Sequence, residues 1–204
     1  MPRVSDAHRA ARREQIADAA LRVLARNGLS DTSIAQIVAE CGLSAGAIYV
    51  NFENKAELAR YIAAQLLHRR IGSVDEVISD GRSRTPAEVL RLFITLERTL
   101  PDLTVLLQFW GEATVDPDLH AVLEQNVDQL RRAFERALQP WAAAQPDGGD
   151  ALAARTAQLC VVLCQGFLAN SALFGWLTGE EYLDAAERAF GTTASAPGPA
   201  RPTP

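Results

Sequence analysis

Residues 44–55 carry side chains of the types that contact a DNA backbone and the edges of its bases. Tyr49 and Lys55 can each bind a phosphate, the first through its hydroxyl group and the second through its charge. Asn51 can form a bidentate contact with adenine. Tyr49 would also fit in a protein core with its hydroxyl group at the surface, so the elements around these side chains decide between the two interpretations.

A group of arginines near the amino terminus adds positive charge ahead of this segment. On a helix they can form a solvated face, but beside a DNA-binding element they can reach phosphates or a narrow minor groove. Residues 1–70 carry a net charge of +3 and residues 71–204 a net charge of −8. Such an asymmetry is typical of a small nucleic-acid module joined to a module with another partner. The arginines are Arg3, Arg9, Arg12 and Arg13.

Hydrophobic residues at helical spacing predict four helices within the first seventy residues. The first helix spans about residues 7–27 and stops at Gly28, which serves as its C′ residue. The fourth begins at Asn54, with Glu57 at the position that completes a capping box. Two short helices lie between them.

The two short helices are joined by a glycine turn. Ser33 and Gln36 have the spacing of a capping box for the second helix, which ends at Gly42. Ser44 caps the third helix, which extends to about Phe52. Because the glycine lets one helix leave at a steep angle to the other, the pair predicts a helix-turn-helix.

The detailed pattern over residues 15–62 resembles the N-terminal domain of the TetR family of bacterial transcriptional regulators. The resemblance is carried by Ile16, Ala19, Ala20, Gly28, Ser33, Ile37, Cys41, Gly42, Leu43, Ser44, Gly46, Ile48, Tyr49, Phe52, Asn54, Lys55, Glu57 and Leu58. It implies that the third helix is the recognition helix. This resemblance and the capacity of these side chains to contact phosphates and bases together give the expected DNA-binding residues. They are Arg12, Arg13, Ser33, Ser44, Ala45, Gly46, Tyr49, Asn51 and Lys55.

The recognition helix departs from the pattern of this family. Ala45 and Ala47 stand where the family often has basic or polar residues, and Val50-Asn51 replaces an aromatic residue followed by histidine. Asn51 is therefore the one side chain on this helix that could make a bidentate base contact, while the two alanines could touch thymine methyl groups. The sequence does not predict which operator is bound.

Three more amphipathic helices are predicted over residues 87–100, 102–115 and 117–143, with Pro86 in the first turn of the earliest. Residues 103–119 resemble the C-terminal domain of one TetR subgroup that includes the betaine-type repressors. Together with the N-terminal helices, these segments predict an all-α protein.

The stretch from Thr156 to Gly179 contains no charged residue and is long enough for a membrane helix. Polar residues interrupt it, which favours a helix buried all round against its own domain and a second copy. In the resembled family the last two long helices form a dimeric four-helix bundle. We therefore expect a homodimer and no membrane partner, with dimer contacts from Leu159, Leu163, Gly166 and Asn170.

A regulator of this class also needs a ligand pocket, which is typically apolar with few polar groups. Aromatic residues at helical spacing are usually core residues, so this assignment competes with an ordinary core. The expected ligand is an unidentified small apolar or amphipathic molecule. Its candidate contacts are Phe93, Gln108, Phe109, Trp110, Glu112 and Phe167.

Catalytic and metal-binding patterns are missing from the sequence. It has no Gly-rich phosphate loop, no GxSxG or HExxH motif and only three histidines, so we expect no catalytic residue, no metal site and no cofactor. Cys160 and Cys164 could sense oxidants, but their apolar neighbours favour core residues. The cysteine count and the absence of a signal sequence predict a reduced, cytoplasmic protein.

The sequence thus predicts a DNA-binding domain at residues 1–53, a ligand-binding and dimerisation domain at residues 54–191, and a disordered Pro/Ala/Thr-rich tail at residues 192–204. The expected function is that of a one-component regulator, a repressor that a small ligand releases from palindromic double-stranded DNA. The alternative is a helical dimeric adaptor that does not bind DNA. It would leave the pattern of residues 44–55 without an explanation.

Overall fold

The computed structural model describes residues 6–78, 82–97 and 103–192. This part of the chain forms nine α-helices and contains no β-strand, so the predicted all-α class is confirmed. The predicted tail from residue 193 onward lies outside the described residues. The helices are α1 (Asp6–Asn27), α2 (Ile34–Cys41), α3 (Ala45–Asn51), α4 (Lys55–Ile78), α5 (Pro86–Glu97), α6 (Leu103–Glu112), α7 (Pro117–Ala143), α8 (Asp150–Leu173) and α9 (Gly179–Thr192).

The chain divides into two compact units. Unit 1 consists of Met1–Gly72 and Pro101–Asp128, and it holds α1 to α3, most of α4, α6 and the first part of α7. Unit 2 consists of Ser73–Leu100 and Gln129–Pro204, and it holds α5, α8, α9 and the rest of α7. The division of function at residue 53 stays a prediction.

Helix ends in unit 1 are set by local caps. Ser33 caps α2 in a complete capping box with Gln36, as predicted. Gly42 then ends α2 with φ at +68°, in the left-handed region that favours glycine. The hydroxyl oxygen of Ser44 accepts a hydrogen bond from the Ala47 N–H at 3.2 Å and so caps α3. Because each cap depends on residues close to it in the chain, the sequence could predict the helix-turn-helix.

The core of unit 1 forms where α1 packs against α2, α3 and α6. Ile16, Ile37, Ile48 and Phe52 are each at most 2% exposed. Truncating a buried phenylalanine such as Phe52 to alanine costs about 3–5 kcal/mol, a large share of the stability of a small domain. The apolar face of each short helix therefore holds it against α1.

The core of unit 2 is aromatic and forms where α5 packs against α8 and α9. The rings of Phe93 and Phe134 meet edge to face at 6.0 Å, and those of Phe167 and Tyr182 lie 5.2 Å apart. The Tyr182 hydroxyl donates a hydrogen bond to the carbonyl oxygen of Leu163 at 2.6 Å. The two contacts of Tyr182 connect α9 to α8, whereas the Phe93–Phe134 contact connects α5 to α7.

Helix α8 differs from the predicted uncharged helix over residues 156–179. It begins earlier, at Asp150, and ends at Leu173, because Gly175 with φ at +63° breaks the chain away before α9. Within one copy of the chain Leu159 and Val162 are exposed, and the second copy expected to cover them stays a prediction. The length and composition of α8 would suit a membrane span, but eight of its residues are buried within the protein, as in the core helix of a globular domain.

Candidate nucleic-acid interface

Helices α2 and α3 meet at a bend of 105° across a three-residue turn. This angle lies within the range of a helix-turn-helix, in which the second helix enters the major groove. Both helices pack on α1 and on each other, which fixes the angle between them.

One face of α3 is exposed. Ala45 and Gly46 occupy its first turn and are exposed, and one turn later Tyr49 is 55% and Val50 72% exposed. Since these positions are related by steps of four residues, they share a single face. Ser44, at the N-cap, is also exposed. The structure therefore brings most of the predicted α3 contact residues together on one surface.

Asn51 lies on the opposite side of α3. It is only 9% exposed, and its Nδ2 donates a hydrogen bond to the carbonyl oxygen of Ala47 at 2.9 Å. The bidentate contact with adenine that the sequence suggested does not fit this placement, because the amide faces the protein interior and is already bonded. Asn51 lies three residues after the fully buried Ile48, so helical spacing alone would have placed it on the inner side of α3.

Arg13 is held inside unit 1. Its Nη1 donates to the carbonyl oxygen of Asn51 at 2.5 Å, and its Nη2 lies 3.1 Å from the Glu57 carboxylate. Its guanidinium group also lies over the rings of Phe52 and Tyr61, at 4.2 and 4.7 Å from their centroids. A phosphate contact by Arg13 does not fit these partners. The residue instead joins α1 to the end of α3 and the start of α4.

The Glu57 carboxylate is the acidic partner in this joint. The Glu53 N–H donates to its Oε2 at 2.6 Å, and this bond, followed by the Arg13 guanidinium, holds the pKa of Glu57 below its usual value. An ion pair this exposed contributes at most about 1 kcal/mol, so the ring contacts and the Asn51 carbonyl account for much of the attachment of Arg13.

Lys55 lies at the first residue of α4 and is half-buried. Its Nζ donates a hydrogen bond to the carbonyl oxygen of Ser30 at 3.2 Å. An ammonium group has three donors, so this single bond leaves two for a phosphate. Lys55 thus keeps the capacity for its predicted role.

The remaining N-terminal candidates lie along the start of α1. Arg9 is exposed, while Arg12 is half-buried and donates to the side chain of Gln15 at 2.8 Å. Ser33 is exposed at the N-cap of α2. Arg3 lies outside the described residues.

Gln108 on α6 has a role that the sequence did not reveal. Its Oε1 accepts a hydrogen bond from the Leu29 N–H at 2.6 Å, directly after the left-handed Gly28 that ends α1. The two residues are 79 positions apart in the chain, so no spacing pattern could have predicted the contact. Gln108, proposed as a ligand contact, thus positions the turn that leads into α2.

The other candidate ligand contacts are divided between the two units. Phe109 is fully buried, Trp110 half-buried and Glu112 exposed in unit 1, whereas Phe93 and Phe167 are buried in unit 2. Each of the buried rings serves as a core residue in its own unit. The predicted ligand set stays a prediction.

The candidate dimer contacts lie along α8. Leu159 and Gly166 are exposed, whereas Leu163 and Asn170 are half-buried. Val162 and Leu173 extend the exposed row, which therefore forms an apolar stripe of Leu159, Val162, Gly166 and Leu173. The buried Nδ2 of Asn170 has no hydrogen-bond partner among the described residues.

The cysteines of α8 are core residues in this structure. Cys160 and Cys164 are at most 1% exposed, and burial raises the pKa of the Cys160 thiol to about 12. A thiol with so high a pKa is a poor nucleophile at neutral pH. Within residues 6–78, 82–97 and 103–192, no group of three or more His, Cys, Asp and Glu side chains could hold a metal ion.

Comparison with known families gives two matches that together cover most of the chain. The family described as bacterial regulatory proteins, tetR family, matches residues 16–62. The family described as BetI-type transcriptional repressor, C-terminal, matches residues 82–194, more than half of the chain.

Two curated relatives illustrate the similarity. The HTH-type nicotine-responsive transcriptional repressor HdnoR of Paenarthrobacter nicotinovorans is 37% identical over 101 residues, 48% of this chain and 51% of that protein. The HTH-type transcriptional regulator BetI of Burkholderia lata is 29% identical over 138 residues, 64% of this chain and 68% of that protein. The chain spans about half the length of the first of these relatives.

Solved structures share the fold. A transcriptional regulator from Rhodococcus sp. Rha1 superposes with a TM-score of 0.71 at 21% identity, over 88% of this chain and 94% of that one. A TetR transcription regulator from Haloarcula marismortui superposes with a TM-score of 0.69 at 20% identity, over 91% of this chain and 97% of that one.

Proposed function

Because the chain belongs to the TetR family of bacterial regulatory proteins, we propose that it is a repressor that a small molecule releases from a palindromic operator. The family consists of helix-turn-helix transcriptional regulators, which are not enzymes and which bind DNA as dimers. Beyond family membership, we propose that the operator is palindromic and that a small molecule releases the protein from it. A cytoplasmic location follows from the same proposal.

The observation that carries the proposal is the exposed face of α3 on a helix-turn-helix bent at 105°. Tyr49 and Val50 lie on this face, and Lys55 is the first residue of α4, after the short loop that follows α3. A helix so presented can enter a major groove while Tyr49 and Lys55 bind the flanking phosphates. The alternative of a helical adaptor gives no role to this arrangement.

Two such helices would be presented by a homodimer formed through α8 and α9. The apolar stripe on α8 supports this assembly, since exposed apolar patches mark interaction surfaces. A two-fold axis places the recognition helices in successive major grooves, which makes the operator a palindrome.

Release of the operator requires a ligand that binds preferentially to one conformer of the dimer. In that conformer the two recognition helices are not spaced to enter successive major grooves. We propose a small apolar or amphipathic molecule, bound through the aromatic residues of the protein. The relative HdnoR is described as nicotine-responsive, which supports the proposal of a small-molecule ligand for this chain.

Mobility-shift assays with fragmented genomic DNA test the proposal. We expect a few fragments to be retarded at protein concentrations that leave the bulk unbound. Retarded fragments should be released by one or more compounds that also raise the melting temperature of the protein. An adaptor would retard no fragment in preference to bulk DNA.

A further inference from the structure

The exposed face of the recognition helix contains no group that can read a base through paired hydrogen bonds. Its members are Ala45, Gly46, Tyr49 and Val50, and they offer methyl groups, a bare backbone position and one phenol. Arginine, lysine, glutamine and asparagine, which read purines in the major groove, are missing from this face.

The one amide of α3 is turned away from this face. Asn51 is 9% exposed, and both its side chain and its carbonyl oxygen are bonded within unit 1, to Ala47 and Arg13. Turning the amide outward would break these bonds and leave buried polar groups without partners. The base-reading chemistry of α3 therefore comes from its apolar side chains.

Val50 is the most prominent of these apolar side chains. At 72% exposure it contributes little to the core, and a β-branched residue is a weaker helix former than alanine. Neither packing nor helix propensity accounts for an exposed valine here. The chemical group in the major groove that apolar side chains recognise is the C5 methyl of thymine.

We infer that Val50, with Ala45, selects thymine in each half-site by contact with its C5 methyl group. This inference rests on the proposed function, since it specifies how the same surface distinguishes one DNA sequence from another. It names Val50 as a specificity-determining residue, and it predicts half-sites whose contacted positions are thymine.

Replacing thymine by uracil tests the inference, because it removes only the C5 methyl group. A duplex selected by the wild-type protein from a random library is the probe, and uracil replaces each thymine of its half-sites one at a time. The proteins compared are the wild type, Val50→Ala and the matched control Val115→Ala. Val115 is 76% exposed in the turn after α6, within the same unit.

Uracil at one or more positions of each half-site should weaken wild-type binding about fourfold, the fold change that corresponds to transfer of one methyl group from water. Val50→Ala should bind the thymine duplex more weakly and lose the sensitivity to uracil at one or more of those positions, while any position contacted by Ala45 stays sensitive. Val115→Ala should behave as the wild type. Because both valines are exposed, neither variant should lose its fold, and circular dichroism checks this.

Two results would overturn the inference and leave the proposed function standing. In one, the wild type binds its selected duplex equally well with uracil at every thymine. In the other, Val50→Ala is weakened as much as the wild type by uracil at every thymine position of the half-sites. Failure of the wild type to select any duplex, or to bind DNA at low salt, would overturn the proposed function and the inference with it.

Discussion

Arg13 and Glu57 join α1 to the start of α4, and the charge on Glu57 is part of this joint. The Glu53 N–H and the Arg13 guanidinium group lower the pKa of Glu57 in the folded protein. A carboxyl group with a lowered pKa stabilises the fold above its unfolded pKa of about 4.3, and that stabilisation is lost as the pH falls through the lower, folded value.

Glu57→Gln should therefore lower the free energy of unfolding at pH 7 and have a smaller effect at pH 3. The expected loss at pH 7 is about 1 kcal/mol, since the group is partly exposed. Urea unfolding at the two pH values measures it. Glu124→Gln, at an exposed position on α7, is the control. An equal effect of Glu57→Gln at both pH values would show that the charge is not involved.

Lys55 and Tyr49 are the expected phosphate contacts, whereas the side chain of Asn51 is bonded inside unit 1. Lys55→Ala should weaken specific and random DNA alike and reduce the slope of log K against log salt by about one unit, because one phosphate contact is lost. Tyr49→Phe should also weaken both DNAs. Asn51→Ala removes an internal bond, so it should leave the slope unchanged.

Salt titrations of the three variants on a selected duplex and on random DNA make this comparison. Arg132→Ala, which removes an exposed positive charge from unit 2, is the control for net charge. If Lys55→Ala has the same slope of log K against log salt as the wild type, Lys55 does not contact a phosphate. A loss confined to the selected duplex for Asn51→Ala would restore its role as a base reader.

At the scale of the helices, the sequence predicted what depends on neighbours in the chain. Ser33, Gln36, Gly42 and Ser44 act within one turn of their own positions, so their spacing was enough to predict the caps that the structure contains. The contacts of Arg13 and Gln108 depend on residues 38 to 79 positions away. No local pattern encodes such contacts.

Gln108 connects α6 to the turn between α1 and α2. Gln108→Leu should leave the Leu29 N–H without this partner, at a cost of about 1 kcal/mol, the low end of the range for a lost partner, because the donor is only partly buried. Hydrogen exchange at Leu29 should become faster, and DNA binding should weaken because the turn leads into α2. Gln125→Leu, on an exposed part of α7 in the same unit, is the control. Unchanged exchange at Leu29 would show that this bond does not hold the turn.

At the scale of the whole molecule, the proposed dimerisation through α8 would decide whether two recognition helices can act together. Gly166 lies in the middle of the apolar stripe on α8, and a Cβ atom added there would meet nothing within 4 Å in its own chain. Gly166→Arg should therefore keep the fold of the protomer while placing bulk and charge against the second copy.

Light scattering at micromolar concentration should give a dimer for the wild type and a monomer for Gly166→Arg. Ala143→Arg, at an exposed position at the end of α7, should remain a dimer. The monomer should also lose most of its affinity for a palindrome, because each half-site alone binds weakly. A wild-type monomer, or partition of the wild type into membranes, would contradict the proposed assembly.

The central claim is that two copies of this chain place their α3 faces in successive major grooves of one operator. A hydroxyl-radical footprint of the wild type on its selected duplex measures this directly. We expect two protected patches, related by a two-fold axis and centred about 34–36 Å apart or at a multiple of that distance. A single patch without symmetry, or uniform protection along the duplex, would contradict the claim.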